Sequence, residues 1–209
     1  MADAAPSMGA ADVVSWVRTH TTGVDRYLFG VAGPPGSGKS TLAEHLGNEL
    51  GAPVVPMDGF HRPNAELVAS GLRDVKGAPE TFDSSAFVEL VRSLRDPSRT
   101  VRCPAFDRII DEPVAGQLSV APHDSVVIVE GNYLLLDQEP WSSLSGLLDA
   151  TAFLDVPPPL RIARLVARHI EFGRDRADAI DFAHGSDAAN AVLVEASRSR
   201  ADLVVVADQ

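Results

Sequence analysis

Apolar residues run in two rhythms along this 209-residue chain. Short continuous apolar runs cover 26–32 (RYLFGVA), 53–57, 125–129 (SVVIV), 151–156 and 202–206. Glycine, proline or aspartate bounds most of them, and they predict buried strands. Between them apolar residues recur at three- and four-residue spacing. Leu42, Ala43, Leu46 and Leu50 predict a helix over 40–50 that Gly51 ends. Phe87, Leu90, Val91 and Leu94 predict another over 84–95, capped by Asp83 or Ser84. Further helices are predicted over 141–148, 159–172 and 187–197, whereas 62–81 and 102–121 read as irregular loops.

Strands alternating with helices predict an α/β fold, a parallel sheet of five strands with helices on both faces. Residues 26–209 then form one domain with a small helical lid around 160–185. Residues 1–25 precede it as a segment and short helix, partly frayed and without the pattern of a secretion signal. Ligands of such sheets bind beyond the carboxyl ends of the strands. Gly33, Asp58 and Glu130 all fall there.

The net charge of −11 argues against nucleic-acid binding, which draws on clustered lysine and arginine. No apolar run is long enough to span a bilayer, and the one cysteine, Cys103, excludes a disulfide framework and a cysteine metal cluster. A cytoplasmic protein, monomeric or homodimeric, is expected. Of its 18 basic residues only Lys39 and Lys76 are lysines. Against an arginine-rich background, a retained lysine suggests a place where a compact ammonium is needed.

The stretch Gly33-Pro34-Pro35-Gly36-Ser37-Gly38-Lys39-Ser40, followed by Thr41, fits G-x-x-x-x-G-K-[ST] in full. It lies between a predicted strand and a predicted helix, as a phosphate-binding loop must. Backbone N–H groups and the helix N-terminus there face phosphate oxygens. Lys39 is expected on the β- and γ-phosphates of ATP and Ser40 on Mg²⁺, with Glu130 as a second metal-shell candidate. The N-K-x-D signature of a guanine-specific switch is absent.

A kinase also needs a base for its acceptor alcohol and positive charge over the transferring group. Asp58, at the next strand end, is the candidate base. Arg161, Arg164 and Arg168 share one face of a predicted helix, and Arg174 follows it; they are the candidate lid cations. Phe106, Asp107 and Arg108, in a long loop, are candidates for contact with the acceptor.

Four stretches, GPPGSGKST, VVPMDGFHRPNAEL, GLRDVKGAPETFD and VVIVEGNYLLL, with the tail NAVLVEASRSRADLVV, make nearly the whole chain resemble the group of uridine kinase, phosphoribulokinase and bacterial pantothenate kinase. It is most similar to a compact subgroup described as nucleoside/nucleotide or fructose transport system kinases. The resemblance implies Mg-ATP, transfer of the γ-phosphate to a primary alcohol, and Asp58 as base. It implies lid roles for Arg164, Arg168 and Arg174 and suggests that Lys76 lines the acceptor site; His61, Arg62 and Tyr133 are further acceptor candidates. Uridine kinases carry an aspartate where this chain reads Lys76-Gly77-Ala78-Pro79, and pantothenate kinases a YSH-type stretch where it reads Ala105-Phe106-Asp107-Arg108. The expected acceptor is therefore first a sugar or polyol, then a pantothenate-like acid, then a nucleoside. The alternative is a regulatory ATPase with no small-molecule acceptor.

Overall fold

The computed structural model of the protein describes residues 5–206. Strand β1 (Ser7–Met8) and helix α1 (Ala10–His20) lead into β2 (Tyr27–Ala32), α2 (Lys39–Leu50) and β3 (Val54–Pro56). After α3 (Asn64–Ala69) and α4 (Ser84–Leu94) come β4 (Val101–Asp107) and β5 (Glu112–Val120). The chain ends with β6 (Val126–Gly131), β7 (Ala150–Asp155), α5 (Pro158–Glu171), α6 (Arg176–His184), α7 (Ser186–Glu195) and β8 (Leu203–Val206).

Six strands form one sheet in the order β1-β8-β7-β2-β6-β3, and every pairing is parallel. All five strands expected from the sequence are present, and β1 adds a short edge. Of the segment expected to be frayed, residues 1–4 lie outside the described residues, but Ser7 and Met8 pair with Val204 and Val205.

The continuous apolar runs are explained by burial on both faces of the sheet. Leu28, Val127 and Val129 point into a core with Phe87, Val91 and Leu94 of α4. Phe29, Val31 and Ile128 point the other way, against Val13 and Val17 of α1 and Leu42 and Leu46 of α2. Asp83 caps α4 by accepting from Ala86 N, and Gly51 ends α2 in the left-handed region at φ 63°.

Two expected loops carry structure. Residues 101–120 form an antiparallel hairpin, β4–β5. Its partly buried register, broken by a bulge between Cys103 and Ala105, gives no clean alternation to read. Residues 62–81 contain α3 and two short 3₁₀ turns, too short for a periodic signal. The helix expected over 141–148 is a 3₁₀ turn, Trp141–Gly146. Among the described residues no helix is long and apolar enough to cross a membrane.

Arg26 ties the amino-terminal edge of the sheet together. It is 5% exposed, and its guanidinium donates to the carbonyls of Leu94, Asp96, Ala121 and Asp124. Arg26→Met removes the donors and leaves those carbonyls to water or to nothing. Urea unfolding should report a loss of about 2–4 kcal/mol; an unchanged midpoint would contradict this role.

Candidate functional site

β2, β6 and β3 are consecutive neighbours in the sheet, so the residues after their carboxyl ends are neighbours too. Glu130 pairs in register with Val31 on one side and Pro56 on the other. The loop after β2, Glu130 on β6 and Asp58 beyond β3 therefore sit side by side.

The phosphate loop depends on two glycines. Gly36 has φ 77° and Gly38 φ 91°, a region that L side chains rarely adopt. A Cβ on Gly36 would lie 2.6 Å from Arg161 O and 2.7 Å from Leu165 Cγ, so the loop also needs glycine to pack under α5. Two of the candidate lid arginines hold this arrangement. Arg161, 4% exposed, donates to Pro35 O, and Arg164 donates to Ser37 O at 3.0 Å. Arg168, one turn further along α5, lines an open cavity instead.

That cavity has a volume of about 790 Å³. Lys39, Asp58, His61 and Arg168 line it, as do Arg108 from the hairpin and Arg174 after α5. Burial pulls the Lys39 ammonium below its usual range, while Glu130 and Asp58 favour its charge. Burial works to raise Asp58, but the surrounding cations outweigh it and hold the carboxyl below the usual range. His61 contributes to this where it is protonated; Lys39, Arg108 and Arg168 are the permanent cations, and Arg108 forms an ion pair with Asp58 at 3.4 Å. Burial raises Glu130 to about 7, against the pull of Lys39 and of the Ser40 hydroxyl. The buried Glu130 Oε2 has no partner among the described residues. Arg168 is lowered by burial and by Arg108. Cations crowded against one another in a half-open cavity are relieved by an anion.

The sequence of residues 28–207 matches the phosphoribulokinase/uridine kinase family. The chain belongs to this family. A candidate uridine kinase of Schizosaccharomyces pombe is 36% identical over 94% of this chain and 92% of its own. Escherichia coli YggC, an uncharacterized protein, is 40% identical over 86% of this chain and 77% of its own. The crystal structure of a candidate fructose transport system kinase from Silicibacter sp. TM1040 superposes with a TM-score of 0.87 at 41% identity. That match covers 94% of this chain and 98% of the other.

This member of the family is a small-molecule kinase with the P-loop kinase fold. The family implies use of ATP and typically Mg²⁺, and the donors present suit both. Ser40 and Glu130 offer hard oxygens for Mg²⁺, and the orphaned Glu130 Oε2 fits a carboxylate that holds a metal-bound water.

Several acceptor candidates fall elsewhere. Asp107 is absent from the cavity wall; its carboxylate accepts from Ile109 N and Ile110 N and shapes the hairpin tip. Arg62 pairs with Glu66 and donates to Phe82 O, outside the cavity. Tyr133 is fully buried, with its hydroxyl donating to Gly77 O. Lys76 does line the cavity, but its ammonium donates to Asn64 Oδ1 and Asp111 O and pairs with Asp111 Oδ2. It clamps the hairpin tip to the segment after α3. Phe106 lines the cavity beneath that ammonium, 5.0 Å from ring centre to Nζ.

Cavity residues not singled out from the sequence include Asp111, Asn132, His169, Asp187 and Asn190. Asn132 stands two positions after Glu130, so the strand-end argument already pointed to it. Asp111 arrives through the hairpin, which no spacing announces; Asp187 and Asn190 arrive on α7, a helix the spacing predicts without placing it at the cavity.

His61 stacks on Phe82 with ring centres 4.0 Å apart, and its buried Nδ1 has no partner. Burial lowers its pKa to about 4 despite the pull of Asp58. Below pH ~6.5 the unfolded chain takes up a proton that folded His61 refuses, so stability falls as pH drops toward 4. The stability lost between pH 7 and pH 4 should be smaller in His61→Gln by about 3 kcal/mol. Chemical denaturation at the two pH values measures this, and equal losses in both proteins would contradict it.

Proposed function

We propose that this kinase transfers the γ-phosphate of ATP to a hydroxyl of a small metabolite, with a sugar or polyol favoured over a pantothenate-like acid or a nucleoside. The observation that carries this reading is the pairing of a cationic phosphate site with Asp58, a carboxylate held ionised beside it.

The triphosphate lies along Gly33–Thr41, held by backbone N–H groups, with Lys39 on the β- and γ-phosphates. Ser40 and Glu130 would hold Mg²⁺, which would neutralise charge on the phosphate oxygens. Arg168 and Arg174 cover the transferring group. Arg164 acts at one remove, by fixing Ser37 of the loop. Arg108 releases Asp58 when the acceptor enters, since one carboxylate cannot serve an ion pair and an alcohol equally well.

In the transfer, the acceptor oxygen forms a bond to the γ-phosphorus as the bond to the bridging β–γ oxygen breaks. ADP leaves, and the alcohol proton passes to Asp58 and then to solvent. A carboxylate with a lowered pKa is a weak base. That suits a loose transition state, in which the alcohol gives up its proton late.

Asp58→Asn keeps the shape of the side chain and removes its basicity. Acceptor-dependent ADP release should fall by on the order of 10² to 10⁴, while ATP affinity measured by calorimetry stays within a few-fold. Undiminished turnover would remove Asp58 from the chemistry.

A further inference from the structure

The cavity holds a second group of polar residues that the transfer chemistry leaves unused. Asn132, just beyond β6, lines it and is 8% exposed, and its buried Oδ1 has no partner among the described residues. Asn190, on α7, also lines it and is 6% exposed; its Nδ2 lies 3.7 Å from where a Cβ on Gly77 would stand. Asp187, one turn before Asn190, is held by His169 Nε2 at 2.7 Å through Oδ2, which leaves Oδ1 for another donor. The side chains of this pair are 9% and 14% exposed.

A buried carboxamide oxygen without a donor costs about 1–3 kcal/mol, and such orphans mark places where a ligand completes the hydrogen bonding. Carboxamides both donate and accept, and a carboxylate accepts. Together they match hydroxyl groups, each of which can donate one bond and accept others.

Charge separates the acceptor classes. Two of the cavity's cations, Arg73 and Lys76, are already paired with Asp111, and the transfer chemistry above occupies Lys39, Arg168 and Arg174 with the triphosphate. The unsatisfied group among these three residues is the neutral Asn132 carboxamide oxygen, and the adjacent Asp187 would repel a carboxylate or phosphate on the acceptor. We infer that Asn132, Asp187 and Asn190 form a hydroxyl-reading wall that selects an uncharged polyhydroxy acceptor, a sugar or sugar alcohol, over a hydroxy acid. This rests on the kinase reading above and assigns acceptor selection to residues distinct from the base.

The full chain with Mg-ATP is offered two matched panels, with ADP release as the readout. One contains glycerol, ribitol, D-ribose and D-fructose; the other contains glycerate, gluconate and pantoate. Turnover with the neutral panel is expected. Asn132→Ala and Asn190→Ala should each raise KM for the neutral acceptor by on the order of 10-fold. KM for ATP should stay within about two-fold. Asp187→Asn, which keeps a side chain able to meet His169, should also raise the neutral acceptor's KM. Melting temperatures identify any variant that fails to fold; if Asn132→Ala does, the two variants on α7 decide. Turnover with the acids alone, or acceptor KM values unmoved by the α7 variants, would overturn the wall and leave the kinase standing. Turnover with neither panel would count against both.

Discussion

A lysine ammonium taken out of water between two carboxylates is the constraint on which the site depends. Lys39 begins α2, and Glu130 and Asp58 stand at the ends of the two strands next along the sheet. Burial disfavours the charge on all three. Lys39 and each carboxylate favour one another's charge while Asp58 works against that of Glu130, and Arg168 adds positive charge that burial and the nearby Arg108 make costly. Charge so arranged is poised for an anion, because a phosphate relieves the cations while the metal it carries relieves the carboxylates.

The positions of these groups follow from the sheet order. β3, β6 and β2 lie side by side, with Pro56, Glu130 and Val31 in register, so Asp58, Glu130 and the phosphate loop share one edge. Helix α5 then divides its arginines by depth. Arg161 and Arg164 are spent on the carbonyls of Pro35 and Ser37 and shape the loop. Arg168 is left to face the cavity. The helical spacing that put all three on one face was correct, but contact with the loop below decides which of them can meet a ligand.

The parts of the site legible in the sequence are those fixed by local rules. The phosphate loop has an explicit spacing, and Asp58 and Glu130 were found because they end buried apolar runs. The parts that were not legible depend on elements without a periodic signal. The β4–β5 hairpin turns Asp107 inward onto its own backbone and brings Asp111 to Lys76 instead. Lys76 was singled out for the rarity of lysine in this chain, and it does occupy a site where a compact, three-donor ammonium fits. All three donor directions are used by the fold. Asp74 and Asp111 line the cavity with Lys76, and Asp187 joins them from a helix distant in the chain.

The central claim is that this charge arrangement moves a phosphoryl group to an alcohol rather than to water. Phosphorus NMR of the protein with Mg-ATP and a neutral polyol tests it most directly. A phosphomonoester signal should grow in step with ADP, with little inorganic phosphate. Inorganic phosphate growing in step with ADP, and no phosphomonoester, would contradict the account.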